Sequence, residues 1–246
     1  MLALSQASRP HGCPAVWVRA EVLFRSGAAI PVGLLPSRRR AENHRRALQP
    51  PDGPWILWAM HAIEYLTNHF LIAMPGMLDP NFSRTVTYIC EHNEHGAMGI
   101  VVNRPMGLRL SQMLEQLDIE ATDQAALDLP VYLGGPVQTD RGFVLHSGER
   151  SWESTMRISP QIAITTSKDI LSAIAQGQGP KHSLVALGYA GWAGGQLEEE
   201  MSANAWLSGP ADDAILFSEP SEHRWLAAAS LLGVDMNLLS GDAGHA

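Results

Sequence analysis

The patterning that predicts regular structure begins abruptly near residue 60 of this 246-residue chain. From His69 onward, short apolar runs alternate with turn residues, as in strands and helices. Residues 1–59 have no such periodicity and are rich in Pro, Arg, Ala and Gly, and 37–54 (SRRRAENHRRALQPPDGP) is typical of a basic, turn-rich segment. The sequence therefore predicts one folded domain over 60–246, preceded by a segment of a different kind.

Three interpretations of residues 1–59 remain open. The segment could be a disordered basic tail that binds nucleic acid, or an Arg-rich transit peptide with few acids. It could also lie upstream of the true start, with translation beginning at Met60. We favour the third interpretation, because the change in patterning coincides with that methionine.

The charge of the chain is unevenly distributed. Residues 1–59 hold eight of the 17 Lys and Arg residues and three of the 25 Asp and Glu residues. Residues 60–246 therefore carry nine basic and 22 acidic side chains, a net charge near −13. Such a surface repels the phosphates of nucleic acids and anionic lipids, so direct DNA binding by this domain is not expected.

The cysteine count and the hydropathy pattern predict a cytoplasmic protein. Cys13 and Cys90 are the only cysteines, and their distance in sequence argues against a disulfide framework. No apolar run approaches the roughly 20 residues that span a bilayer, and the first residues do not resemble a secretory signal. We expect no membrane association.

Strand and helix signals alternate irregularly from residue 69 onward. Strands are predicted at 69–74, 85–91, 97–103, 131–133, 142–146, 162–166, 183–188 and 214–217. Helices are predicted around 110–117, with Ser111 as a possible cap, at 169–175, with Ser167 as cap, at 196–204 and at 223–232. Residues 191–195 are predicted to be a loop. This mixture of hairpins and crossovers favours an α+β or mixed α/β fold over a doubly wound sheet.

The segment Cys90-Glu91-His92-Asn93-Glu94-His95 is the first candidate site. On a regular strand Cys90 and His92 would point to the same face, and a nearby imidazolium lowers the pKa of a thiol. Cys90 and His92 are therefore the candidate catalytic pair of a thiol enzyme or redox sensor, with His146 as an alternative partner. The simpler interpretation is a buried cysteine beside two turn-capping histidines.

A metal site is not expected. Zinc needs three or four ligands, and the domain has no second cysteine to join Cys90, His92 and His95. The remaining candidates, His146 and His245, lie far away in sequence. We therefore predict no metal and no cofactor.

Two further stretches are candidate ligand sites. Arg141 could hold an anion bidentately, and with Gly134, Gly135 and His146 it forms the candidate ligand-binding set, although we favour a structural turn between strands for the stretch around Arg141. The glycine-rich stretch 188–195 lies between a strand and a helix, but it lacks the G-x-G-x-x-G and G-K-[ST] spacings of phosphate loops. We favour close packing of Trp192 for these glycines.

Several long motifs resemble the AlgH/YqgE family of bacterial proteins. They are NHFLIAMPGMLDPNFSRTVTYICEHNEHGAMGIVVNRP (68–105), LGGPVQTDRGFVLH (133–146), TTSKD (165–169), VALGYAGWAGGQLEEEMSANAWL (185–207) and LLGVDMNLLSGDAGHA (231–246). The resemblance covers nearly all of 66–246 and nothing in 1–59. It implies an α+β fold with a bent, bifurcated mixed sheet that forms a pseudo-barrel with peripheral helices.

The resemblance implies no established reaction. Members of the family are labelled transcriptional regulators, after a proposed role in alginate production. The only family residue that we carry over is the cysteine, which corresponds to Cys90. We therefore expect a regulatory or binding protein that acts through an unknown protein or small-molecule partner. The alternatives are a thiol-dependent enzyme or redox sensor using Cys90, and a scaffold with a large exposed apolar patch. Trp192, Trp206 and Trp225 are candidates for such a patch, although we favour core packing for them.

Overall fold

The computed structural model describes residues 65–236 and 238–239. The three interpretations of residues 1–59, the boundary at residue 60 and His245 lie outside the described residues, so they stay predictions. No helix in the described part of the chain is long and apolar enough to cross a membrane. The cytoplasmic location also stays a prediction.

The described residues form ten strands and six helices. The strands are β1 (His69–Ala73), β2 (Val86–Asn93), β3 (Gly96–Val101), β4 (Pro105–Arg109), β5 (Pro130–Leu133), β6 (Val137–Ser147), β7 (Thr155–Arg157), β8 (Ile162–Thr165), β9 (Ser183–Ala193) and β10 (Trp206–Pro210). The helices are α1 (Leu110–Gln116), α2 (Gln124–Leu127), α3 (Lys168–Ala175), α4 (Gln196–Ser202), α5 (Asp213–Phe217) and α6 (Arg224–Leu231).

All ten strands belong to one branched sheet. Its main order is β10-β1-β2-β3-β9-β6-β8-β7, and β5 pairs with β9 and carries β4 as a branch. The β5–β9 pair is parallel and the other pairs are antiparallel. The predicted α+β class with a bent, bifurcated mixed sheet is confirmed, and the sheet curls into a half-barrel against which the helices pack.

The curled sheet has a separate apolar cluster under each group of helices. Helices α5 and α6 cover the largest cluster, which includes Phe70, Tyr88, Leu145 and Trp225. Helices α1, α2 and α3 cover a second cluster. Helix α4 covers a third cluster on strands β1, β2, β3, β9 and β10. Burial of this apolar surface is the main force that holds the helices on the sheet.

Three local predictions are wrong. Residues 214–217 are helical rather than extended, because the carboxylate of Asp212 accepts the backbone N–H of Ile215 and caps α5. Residues 191–193 continue strand β9 instead of forming a loop, and they pair with β3. The N-cap of α1 is Arg109, not Ser111, and its N–H is accepted by Oε1 of Gln112.

Candidate functional site

Cys90 lies inside the main apolar cluster. Its side chain is 2% exposed and packs with Phe70, Ile72 and Tyr88. The Sγ atom lies 3.7 Å from the carbonyl oxygen of Tyr88, the only hydrogen bond of this thiol among the described residues. Burial raises the pKa of the Cys90 thiol well above its ordinary value, and the charge of Glu91 raises it further. These surroundings favour the neutral, unreactive thiol.

A β-bulge separates Cys90 from His92. The pairing of β2 with β3 runs from Ile89 opposite Gly99 to Glu91 opposite Met98, so Cys90 is the extra residue. The bulge changes the alternation of side chains, and His92, opposite Ala97, lies on the face of the third cluster, under α4. The expectation that Cys90 and His92 share a face is therefore wrong.

Both ring nitrogens of His92 are engaged. Nδ1 accepts the backbone N–H of Leu66 at 3.0 Å, so this nitrogen carries no proton. Nε2 holds the proton of the neutral ring and donates to Oε1 of Glu198 at 3.0 Å. The imidazole thus connects the segment before β1 to helix α4, and it has no lone pair left to act as a base.

Glu200 is a second anchor of helix α4. Its Oε2 accepts hydrogen bonds from the indole Nε1 of Trp192 at 2.9 Å and of Trp206 at 2.8 Å, while Oε1 accepts from Nε2 of Gln196. The two indoles and Trp225 are all buried. The hypothesis that these three tryptophans form an exposed patch is therefore wrong, and they pack in the core.

His146 is fully buried in a chain of hydrogen bonds. Nδ1 lies 2.9 Å from the carbonyl of Ser147 and must donate to it, so Nε2 accepts from Oγ1 of Thr165. Oγ1 of Thr165 in turn accepts from Oγ1 of Thr155, which accepts the N–H of Trp152. A side chain with 0% exposure has no access to a ligand, and nothing brings it to Cys90. The predicted ligand-binding role of His146 is not supported.

Gly134 and Gly135 serve a close crossing of backbones. A Cβ on Gly134 would lie 2.3 Å from the carbonyl oxygen of Gly188, and one on Gly135 would lie 2.1 Å from the carbonyl carbon of Tyr189. Only glycine allows β5 to approach β9 this closely. Both residues are buried, so their predicted ligand-binding role is not supported either.

Arg141 is half-buried on β6. Its guanidinium lies 5.4 Å from the centre of the Phe143 ring, and Nη1 donates to Oε1 of Gln138 at 3.4 Å. The structure does not bring Arg141, His146 and Cys90 into one site. An anion contact at Arg141 stays a prediction.

The glycine-rich stretch 188–195, most of which belongs to β9, does not form a phosphate loop. Gly188, at φ +74°, approaches the carbonyl oxygen of Gly135, and Gly194 approaches that of Glu94. Helix α4 then begins with Glu198 and Glu199 in its first turn, which repel an anion. No cluster of three or more His, Cys, Asp or Glu side chains suited to a metal occurs within residues 65–236 and 238–239.

A cavity of about 410 Å³ lies between the loop before β2 and the start of α6. Its polar lining is Arg84, Asn103, Ser221 and Glu222, and its apolar lining includes Trp225 and Leu226. The guanidinium of Arg84 lies 5.5 Å from the centre of a Trp225 ring, within cation–π distance. Sequence reasoning missed this site, because its residues are far apart in sequence: they lie at 75–84, at Asn103, at 221–226 and at Met236.

These features define a class of protein: an α+β domain with a branched, curled sheet, whose expected nucleophile is buried and in which a cavity beside α6 holds an arginine. A family model described as AlgH-like matches residues 70–237, and the chain belongs to that family. The UPF0301 protein of Thioalkalivibrio sulfidiphilus is 61% identical over 187 residues, which cover 76% of this chain and 100% of that protein. The UPF0301 protein AlgH of Pseudomonas aeruginosa is 58% identical and is covered to 96%, against 74% of this chain.

Two solved structures share the architecture. The solution structure of Pseudomonas aeruginosa AlgH aligns with a TM-score of 0.63 at 56% identity and covers 76% of this chain and 98% of its own. A crystal structure of a protein from Corynebacterium diphtheriae aligns with a TM-score of 0.58 at 19% identity, covering 75% and 96% respectively. The second likeness supports the fold alone.

Proposed function

We propose that this AlgH-family protein is a binding protein that takes a small-molecule ligand in the cavity beside Arg84 and Trp225. The observation that carries the proposal is the composition of this cavity. It combines a cation, an amide, a hydroxyl and a carboxylate with an aromatic and an aliphatic wall. Ligand sites have this mixture of apolar walls and a few polar groups, and their volumes are of this order.

The geometry favours binding over thiol catalysis. Cys90 is buried, and His92 lies on the other face of β2 with both nitrogens engaged. The cavity contains no cysteine and no histidine, so it offers no nucleophile with an adjacent imidazole base. A thiol enzyme or redox sensor at Cys90 would require β2 to open first.

Any regulatory role of the domain is indirect in this proposal. Among the described residues, most guanidinium groups donate to backbone carbonyls of the protein itself; they belong to Arg104, Arg109, Arg150, Arg157 and Arg224. A net charge near −13 over residues 60–246 opposes contact with phosphates. We expect no shift of a DNA fragment by this domain in a gel at low salt, and a sequence-specific shift would refute the indirect role.

A fragment screen observed by protein NMR tests the binding function. We expect hits that shift the indole resonance of Trp225 and the methyl resonances of Leu226 in a saturable way. The indole of Trp152, which lies outside the cavity, is the internal control. If no fragment of a chemically diverse set shifts the cavity resonances selectively, the proposed function is wrong.

A further inference from the structure

We propose that the cavity selects small organic anions, with Arg84 binding the carboxylate or phosphate and the apolar wall binding the rest of the molecule. This inference rests on the proposed binding function and adds the ligand class. No relative's name assigns a ligand to these residues. The inference follows from two observations. The backbone at Arg84 is fixed by hydrogen bonds, and the guanidinium belongs to none of the ion pairs among the described residues.

The loop that carries Arg84 is held from both sides. Nδ2 of Asn103 donates to the carbonyl of Arg84 at 2.9 Å, while Oδ1 of Asn103 accepts the N–H of Val86 at 2.9 Å. The guanidinium of Arg104 donates to the carbonyls of Pro80 and Ser83. Arg84 itself has φ +55°, which is uncommon for a residue that is not glycine, asparagine or aspartate. Its backbone is therefore kept in one conformation.

The guanidinium of Arg84 lacks an anionic partner. None of the ion pairs among the described residues includes Arg84, although the domain has many more acids than bases. Glu222 lines the same cavity, but its Oε2 accepts from the hydroxyl of Ser221. A guanidinium that contacts an aromatic face keeps the N–H groups at its edge free to bind an oxyanion bidentately.

The apolar wall of the cavity indicates the chemistry of the uncharged part of the ligand. Trp225 and Leu226 border the cavity at the start of α6, and Leu226 is exposed to solvent. A purely inorganic anion would leave this surface in contact with water, whereas an organic anion would cover it. Glu222 disfavours ligands with negative charge on both ends, so we infer a single anionic group on an apolar body.

Benzoate and benzamide form a matched probe pair, since they share a ring and differ in charge. Both would be titrated at constant ionic strength while the Trp225 indole and Leu226 methyl resonances are observed. We expect benzoate to bind at least about tenfold more tightly than benzamide. The substitution Arg84→Gln should weaken benzoate binding about tenfold. Arg84→Lys keeps the positive charge but lacks the planar guanidinium. Its benzoate affinity should therefore lie between those of the unmodified protein and Arg84→Gln.

Arg150→Gln is the matched control, because Arg150 is also exposed but binds the carbonyl of Gln178 outside the cavity. Its benzoate affinity should equal that of the unmodified protein. Equal binding of benzoate and benzamide would overturn the anion inference and leave the binding function intact. An equal loss in both glutamine variants would overturn the role of Arg84. Should Arg84→Gln fail to fold, the probe pair on the unmodified protein and the Arg84→Lys variant still decide the question.

Discussion

Oγ1 of Thr165 donates a hydrogen bond to Nε2 of His146, because Nδ1 of the same ring already donates to the carbonyl of Ser147. Burial lowers the pKa of His146 below its ordinary value; the Ser147 carbonyl opposes this shift and the nearby charge of Arg157 adds to it. The folded protein therefore holds this imidazole neutral, with the proton on Nδ1.

Acidification should destabilise the domain through His146. The unfolded chain takes up the proton near pH ~6.5, whereas the folded chain takes it up only at lower pH. The unfolded state binds more protons between these two values, so the free energy of unfolding should fall as the pH drops below ~6.5. Urea unfolding as a function of pH measures this. His146→Gln should show a shallower dependence, and an unchanged dependence would contradict the assignment.

Cys90 should be almost unreactive in the native protein. Iodoacetamide reacts with the thiolate, and burial opposes its formation here. We expect labelling of Cys90 far slower than in the urea-unfolded chain, measured by peptide mapping that separates Cys90 from Cys13. His92→Ala should leave the slow rate controlled by opening of β2, with no change in its pH midpoint. Fast native labelling that depends on His92 would restore the thiol hypothesis.

Removing the carboxylate of Glu200 should destabilise the domain strongly. Glu200→Ala leaves two buried indole N–H groups without their acceptor, and each such loss costs about 1–3 kcal/mol. We expect a total loss of about 3 kcal/mol in urea unfolding. Glu199→Ala, one residue away on an exposed position, should change stability by less than about 0.5 kcal/mol. Similar losses of stability in both variants would contradict the role of Glu200 as the acceptor that anchors α4.

A methyl group at Gly135 should prevent folding. The Cβ of Gly135→Ala would lie 2.1 Å from the backbone of Tyr189, so β5 and β9 could not pair. Gly233→Ala is the control, because Gly233 also has a positive φ, +71°, but no atom lies within 4 Å of its ideal Cβ. We expect a loss of about 1 kcal/mol for the control and no soluble folded protein for Gly135→Ala. Circular dichroism and gel filtration distinguish the two results.

The sequence predicted local structure well where periodicity and burial agree. The runs 69–74 and 162–166 are apolar and bounded by turn residues, and they form β1 and β8; the apolar run 183–188 is a strand that continues to Ala193. Residues 214–217 have the same apolar character, but the cap at Asp212 makes them a helix. A run of four apolar residues carries too little periodicity to decide between the two.

The sites were harder to predict, because they depend on contacts between distant segments. A single extra residue in β2 places Cys90 and His92 on different faces of the strand, and the sequence around Cys90 does not predict this bulge. The cavity brings together Arg84 before β2, Asn103 after β3 and Trp225 of α6. Spacing along the chain does not indicate which distant residues come into contact. The glycines that the close approach of β5 and β9 requires, Gly134 and Gly135, are visible in the sequence as a pair.

The branching at β9 determines when the domain can fold during synthesis. Strand β9 pairs with β3, β5 and β6, and β10 pairs with β1 from the other end of the domain. Pairings between distant segments form slowly, since long loops must lose entropy first. The hairpin of β2 and β3 can form as it leaves the ribosome, but Leu71 and Ile89 stay uncovered until residues near 210 have emerged. Until then the nascent chain exposes apolar surface of the kind that makes partly folded chains prone to aggregation.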